Sequence, residues 1–229
     1  MSLLEVRDLF VEIGGEIILQ NMTFDVEKNS VLAVIGPNGA GKTVLLKALL
    51  GLIPSRGTIK WQDGINMGYV PQRLDIETDI PLTVREFFRL RRSTPSDESI
   101  NRVLEYVQLD PSILKSGFGE VSVGQRQRVL VAWAVLDEPE VLLFDEPTAD
   151  IDVAGQESIY NMITHLKDDL GLTVILVSHD LNVVYSHAAK VLCLNKKRLC
   201  MGKPTEVLTP EQLQELYGGD NAFFKHRHI

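Results

Sequence analysis

The chain has 229 residues, of which 45% are hydrophobic and 24% charged, and its formal net charge is −8. These values are typical of one folded domain with a sizeable core, and they exclude a disordered or fibrous chain. The acidic balance argues against general nucleic-acid binding, which normally needs a basic surplus, so we expect no nucleic-acid partner. The longest apolar run, Val129 to Leu136, is far shorter than the ~20 residues of a bilayer span.

The first residues carry charges early and lack the apolar core of a signal peptide. The two cysteines, Cys193 and Cys200, are too few for a disulfide framework. We therefore expect a cytoplasmic protein whose chain does not enter a membrane.

The predicted elements begin with short strands at 4–11, 17–19 and 22–26, with a turn at the Gly14-Gly15 pair. A continuous apolar run at 31–35 predicts a strand that is buried on both faces. A glycine-rich loop follows it, and a helix is predicted at 44–50.

The middle of the chain has helical periodicity, and the last third alternates strands with helices. Helices are predicted at 83–92, 99–107, 124–135, 153–170, 181–188 and 209–217, and strands at 141–144, 174–177 and 191–194. Alternating buried strands and helices predict an α/β fold with a mainly parallel sheet. We expect a single domain in which 1–80 and 138–229 form the core, including the N-terminal strands, and 81–137 form an inserted helical lobe.

The loop between the strand at 31–35 and the following helix matches a phosphate-binding pattern. It comprises Gly36, Pro37, Asn38, Gly39, Ala40, Gly41, Lys42 and Thr43. Glycines let successive backbone N–H groups converge on one anion, and the helix adds the positive end of its dipole. We expect Lys42 to pair with the β- and γ-phosphates of a nucleoside triphosphate and the Thr43 hydroxyl to bind Mg²⁺. The alternative is a tight strand-to-helix turn with an incidental lysine.

Two acidic residues compete for the second half of such a site. Asp137 follows a helical run, whereas Asp145 directly follows an apolar stretch of strand length. We therefore assign Asp145 to the magnesium ion. Glu146 comes next and is the candidate that orients or deprotonates a water attacking the γ-phosphate; the alternative is a surface acid in a turn.

With these residues in place, the chain resembles the ATP-binding cassette (ABC) ATPases over nearly its whole length, and so the P-loop NTPase fold is implied. Further family elements follow in the expected order. Gln72 matches the Q-loop glutamine, residues 121–125 resemble the signature motif, and residues 149–152 occupy the D-loop position. Ser178-His179-Asp180 resembles the switch-histidine motif.

The resemblance implies a head-to-tail dimer of two copies that encloses two ATP molecules. Ser122, Gly124 and Gln125 of one copy would then cap the nucleotide held by the phosphate loop of the other. It also implies that Gln72 contacts the metal and the water, and that His179 holds the γ-phosphate. ATP and Mg²⁺ are the implied cofactors.

The sequence departs from the family at three sites, of which Thr43-Val44, in place of the frequent Ser-Thr, keeps the ligating hydroxyl group. Val123 replaces the first glycine of the signature pair, and a β-branched residue does not easily adopt positive φ. Either φ is negative at this position or the signature loop is altered. Ile13 stands where an aromatic residue commonly stacks on adenine, so apolar contact without stacking is expected and base recognition should be weak.

Within the family, the resemblance is to the ATPases of metal-ion importers, especially the zinc-uptake type. The features lie in residues 68–73, 81–91 and 191–202 and in a tail with His226 and His228. This type implies a separate membrane permease and, indirectly, a periplasmic or surface metal-binding protein, with the chain on the inner face of the membrane. A manganese or iron importer, a non-transport ABC switch and a small-molecule kinase are the alternatives.

Three further features of the sequence lead to expectations, two from the residues themselves and the docking groove from the resemblance. The histidines of the tail, His226 and His228, are expected to be solvated, because a closed zinc site normally needs four ligands. Cys193 and Cys200 are expected to face each other across a hairpin turning at 196–197, as reduced buried thiols rather than a metal or redox pair. Leu82, Phe87 and Phe88 would line an apolar docking groove for the permease or, for each phenylalanine, form the core of the helical lobe.

Overall fold

The computed structural model describes residues 2–74, 80–91, 94–195 and 198–217, the side chains of 198 and 199 excepted. The strands are β1 (Ser2–Ile13), β2 (Glu16–Glu27), β3 (Val31–Ile35), β4 (Arg56–Trp61), β5 (Met67–Val70), β6 (Val141–Asp145), β7 (Thr173–Val177), β8 (Lys190–Asn195) and β9 (Arg198–Gly202). The helices are α1 (Lys42–Leu49), α2 (Val84–Arg89), α3 (Asp97–Tyr106), α4 (Val123–Val135), α5 (Val153–Leu170), α6 (Leu181–His187), α7 (Pro204–Val207) and α8 (Pro210–Tyr217), with a 3₁₀ helix at Pro111–Lys115.

The central sheet has six strands in the order β5-β6-β7-β3-β8-β9. The first five are parallel, and β9 runs antiparallel to β8. Every residue of β3, β6 and β7 is buried, as expected for apolar strands covered on both faces. The carboxyl ends of the parallel strands therefore meet at one edge, where ligands bind in open α/β sheets.

A second sheet is antiparallel, with the order β2-β1-β4. Its buried side chains share one apolar cluster with α1 and with one face of the central sheet. Helices α2 to α5 contribute to a separate cluster that covers the other face. The N-terminal strands thus cover the face of the central sheet that carries α1.

The predicted α/β fold with a mainly parallel sheet, antiparallel N-terminal strands and inserted helices is confirmed. Several details differ. The strands predicted at 17–19 and 22–26 form one continuous strand, β2. β4 and β5 were not predicted, because β4 has no fully buried residue and β5 is only four residues long. The division into a core and a lobe at 81 and 137 stays a prediction.

The aromatic residues of the helical region are packed together. Phe87 and Phe88 are buried, with Phe87 stacked on Phe118 at 4.5 Å between ring centroids. Both phenylalanines therefore belong to the core, and of the three groove candidates only Leu82 is partly exposed. Among the helices that the structure describes, none has the length and apolar character needed to cross a bilayer.

The two cysteines correct one expectation. Cys193 lies on β8 directly opposite Cys200 on β9, with 4.9 Å between their Cα atoms, and the two form a disulfide instead of remaining as thiols. Opposed positions on neighbouring strands bring two Cα atoms within the range that a disulfide spans. The predicted pairing across a hairpin is confirmed, while its turn at 196–197 lies outside the described residues.

Replacing Ser96 by Ala should lower the free energy of unfolding by about 1 kcal/mol. Ser96 is the N-cap of α3, and its hydroxyl accepts a hydrogen bond from the Ser99 amide at 3.1 Å. The variant S96D keeps an acceptor at the cap and should retain the parent stability in urea unfolding. Equal stability of S96A and S96D would show that the cap contributes nothing measurable.

Candidate functional site

The predicted phosphate loop lies at the carboxyl end of β3 and leads into α1. Gly41 adopts a left-handed conformation with φ of 100° immediately before the helix. A methyl group added at Gly41 would lie 2.8 Å from Leu19 and 3.1 Å from Ile18, which both belong to β2. Two independent constraints therefore require glycine at position 41. Both the left-handed backbone conformation and the close contact with β2 exclude a larger residue.

Lys42 is the first residue of α1 and points back over its own loop. Its ammonium group donates hydrogen bonds to the carbonyl oxygens of Gly36 at 2.9 Å and Pro37 at 3.2 Å. Only 6% of the residue is exposed. The same group lies 3.5 Å from a carboxylate oxygen of Glu146. A buried cation is thus held beside the phosphate loop, next to the acid predicted to act on water.

Asp145 ends β6 with its side chain almost fully buried. Burial raises the pKa of this carboxyl group above its usual value, while hydrogen bonds from Thr43 and Tyr69 act in the opposite direction. The Tyr69 hydroxyl lies 3.5 Å from the carboxylate, and burial together with this negative neighbour raises the pKa of Tyr69 to about 12. The two oxygen ligands predicted for Mg²⁺, from Thr43 and Asp145, therefore lie in contact.

Glu146 is contacted by several polar groups of the site. Its carboxylate accepts a hydrogen bond from the Gln72 amide at 3.3 Å and lies 3.6 Å from the His179 ring nitrogen. The residue has a φ of 48°, which is uncommon for a side chain other than glycine. Such a conformation persists only where the surrounding contacts hold it.

An open cavity of about 550 Å³ lies beside the phosphate loop. It is lined by Ile18, Asn38, Gly39, Gly41, Lys42, Thr43, Val44, Gln72 and Glu146. Ile13 does not line this cavity, although it was the predicted contact for the base; it lies at the β1–β2 turn with 48% exposure. Ile18 and Val44 line it instead, and no periodicity in the sequence distinguishes them from core residues.

The signature residues lie at the start of α4. Ser122 is the N-cap, and its hydroxyl and the Gln125 side chain form reciprocal hydrogen bonds that satisfy two backbone amides. Val123 is the first helical residue and has negative φ, so the valine is accommodated without left-handed strain. Ser122, Gly124 and Gln125 are not among the residues that line the cavity around Lys42.

The competing acid, Asp137, follows α4 and forms an ion pair with Arg91. This position agrees with its assignment to a loop rather than to the site. Tyr69 and Tyr217 were not predicted from the sequence: Tyr69 contacts Asp145, and Tyr217 accepts a hydrogen bond from the backbone of Gly36. Tyr69 stands two residues before the conspicuous Pro71-Gln72 pair, which was the available signal. The tail histidines His226 and His228 lie outside the described residues.

Comparisons with known proteins agree with this geometry. Residues 19–149 match the family model described as ABC transporter. The zinc import ATP-binding protein ZnuC of Photorhabdus laumondii is 37% identical, over 99% of this chain and 90% of the relative. ZnuC 1 of Hahella chejuensis is 40% identical, over 96% of this chain and 85% of the relative.

Solved structures show the same fold. A chain from the inward-facing conformation of a transporter described as a metal-chelate type ABC transporter is 30% identical and has a TM-score of 0.84, covering 94% of this chain and 88% of that chain. The ADP conformation of MJ1267, an ATP-binding cassette of an ABC transporter, has a TM-score of 0.83 at 21% identity, covering 96% and 100%. The second likeness concerns the fold alone.

Proposed function

Because this chain belongs to the ABC transporter family, we propose that it is the ATP-hydrolysing subunit of a metal-ion importer whose cargo is zinc. The observation that carries the ATPase function is the contact of Lys42 with Glu146 at 3.5 Å beside the phosphate loop, with the buried Asp145 immediately before Glu146. The cargo rests on similarity to relatives that are named as zinc import proteins. ATP is the nucleotide whose hydrolysis drives transport in this proposal.

Each residue of the site has a chemical task in this proposal. The backbone amides of residues 36–43 and the Lys42 ammonium group bind the phosphates. Thr43 and Asp145 supply the hydroxyl and carboxylate oxygens that suit Mg²⁺, with Gln72 completing the set. When bound, Mg²⁺ neutralises negative charge on the phosphates.

Glu146 is the proposed general base for the attacking water. Gln72 and His179 both reach its carboxylate, so they are placed to orient this group and, in the case of His179, the γ-phosphate. In this arrangement the attacking water would lie between the Glu146 carboxylate and the γ-phosphate. Such positioning is the main contribution that a protein makes to phosphoryl transfer.

A second copy of the chain supplies the signature residues in this proposal. Ser122 and Gly124 begin α4, whose N-terminus can bind an anion, and they do not line the cavity formed by the phosphate loop of the same chain. A head-to-tail dimer would place them on the γ-phosphate of the partner. The isolated monomer should therefore hydrolyse ATP poorly.

The transported ion does not contact this chain. We propose that the dimer binds the cytoplasmic side of a separate permease, which receives zinc from a periplasmic or surface metal-binding protein. Closure of the dimer on ATP and its reopening after hydrolysis would drive the permease. Zinc is then the cargo of the complex, and magnesium is the cofactor of this subunit.

Transport into vesicles tests the cargo. Vesicles that contain the permease and this chain should accumulate zinc when ATP is supplied, and a chain carrying E146Q should reduce uptake to background. Uptake of manganese but not zinc would show that the cargo is wrong while the ATPase assignment stands. ATP-dependent transfer of phosphate to a small hydroxyl compound would instead support a kinase.

A further inference from the structure

We propose that Tyr160 is a positioning residue that fixes the loop of Glu146 relative to the loop of His179. This inference rests on the proposed ATPase function and adds a residue to its site. Tyr160 lies on α5, outside the motifs that the sequence singled out, and does not line the nucleotide cavity. Its hydroxyl group nevertheless contacts both loops, the one that carries Glu146 and the one that carries His179, on the side away from the cavity.

The contacts form a buried chain of hydroxyl groups. The Tyr160 oxygen lies 2.9 Å from the Thr148 hydroxyl and 3.3 Å from the Ser178 hydroxyl. Ser178 in turn accepts a hydrogen bond from the Asp180 amide at 3.1 Å. Thr148 follows Glu146 by two residues, and Ser178 immediately precedes His179. The Tyr160 hydroxyl group therefore joins the two loops that carry Glu146 and His179, whose own side chains lie 3.6 Å apart.

Burial makes this connection specific. Thr148, Tyr160 and Ser178 are exposed by only 4%, 2% and 2%, so bulk water does not reach these hydroxyl groups and each depends on the others for a partner. Burial also raises the pKa of Tyr160, which keeps its hydroxyl group protonated and able to donate one hydrogen bond while accepting another. Stacking on His187, with 6.2 Å between ring centroids, further fixes the phenol ring.

The strained backbone at Glu146 explains why such a connection matters. Its left-handed conformation needs surrounding contacts to persist, and the Glu146 amide donates to the Val177 carbonyl group at 3.2 Å. That bond ties the two loops through the backbone, and the Tyr160 hydroxyl group ties them through side chains. Loss of the hydroxyl should let Glu146 and His179 move relative to each other while the nucleotide cavity stays intact.

The variant Y160F tests this inference, because it removes only the hydroxyl group. At protein concentrations that favour the dimer, kcat for ATP hydrolysis should fall roughly tenfold, the rate equivalent of one lost hydrogen bond. KM for ATP should stay within about twofold, since the phosphate loop is untouched. The Tm should fall by no more than about 5 °C. Y160F with the parent kcat, or with a raised KM alone, would overturn the inference.

Four further variants separate positioning from a general loss of structure. Y185F removes a hydroxyl group that donates to the Leu208 carbonyl at 2.7 Å, outside the chain of hydroxyls, and should keep the parent kcat. T148V should reproduce the kcat of Y160F, T148S should restore it, and the double variant Y160F/T148V should be no slower than either single one. A fully additive double variant would contradict a shared connection.

The imidazole NMR resonance of His179 gives a readout that needs no hydrolysis. It should shift in Y160F and stay in place in Y185F, and an unchanged resonance in Y160F would overturn the inference. A parent chain without any ATP hydrolysis would contradict the proposed function, and the His179 resonance would then decide the role of Tyr160 by itself.

Discussion

The variant E146Q is expected to reduce ATP hydrolysis by at least about 100-fold while ATP stays bound. An amide cannot accept the proton of the attacking water, yet it keeps the size of the side chain and a carbonyl oxygen for the Gln72 contact. The phosphate loop is unchanged, so nucleotide should still be bound. Phosphate release measures the rate, and light scattering in the presence of Mg-ATP should show dimers accumulating.

Glu98 provides the matched control. It lies on the exposed side of α3, away from the cavity, and E98Q makes the same chemical change. Its hydrolysis rate should equal that of the parent. A parent rate in E146Q would remove Glu146 from its proposed role. Equal loss of ATP binding and hydrolysis would instead indicate damage to the site as a whole.

The variant K42A is expected to weaken ATP binding by roughly 100-fold, with a corresponding loss of turnover. The Lys42 ammonium group is held by two carbonyl groups of its own loop, so it is placed in advance for a phosphate. Truncation also leaves the neighbouring Glu146 carboxylate without its cation, which repels a phosphate further. Calorimetric titration with ATP measures the change, and K47A on the exposed side of α1 is the control.

Asp145 should behave differently from Lys42. In D145N, ATP affinity without magnesium should match the parent, whereas the gain in affinity that magnesium brings should disappear. Folded K42A and D145N proteins that bind and hydrolyse Mg-ATP like the parent would remove the basis of the proposed function.

The sequence predicted the strands that position the candidate site because the signals for those strands are local. The apolar runs before Gly36 and Asp145 identify strands that are buried on both faces, and parallel strands bring their ends together at one edge. The same reasoning separated Asp145 from Asp137, since only one of the two follows a strand. The role of Glu146 was inferred from its position directly after Asp145 and that of His179 from resemblance, and both stay predictions.

Other features depend on contacts between distant segments, which local patterns do not encode. Ile18 lines the cavity in place of Ile13 because of how β2 packs against the phosphate loop. Tyr160 reads in the sequence as one apolar position of a long helix, and its hydroxyl contacts appear only when α5 is placed behind β6 and β7. The register that places Cys193 opposite Cys200 was predicted, whereas the disulfide was not, because a sequence pattern does not show whether two opposed cysteines are bonded.

The contact of β2 with Gly41 limits how far the protein could be redesigned. Ile18 lines the nucleotide cavity, and Ile18 and Leu19 also lie against the loop that grips the phosphates. A larger side chain at Ile18, introduced to change the shape of the cavity, would also press against Gly41. The shape of the cavity at Ile18 and the conformation of the phosphate loop are therefore coupled, and an enlarged side chain at Ile18 would require compensating changes on both sides of that contact.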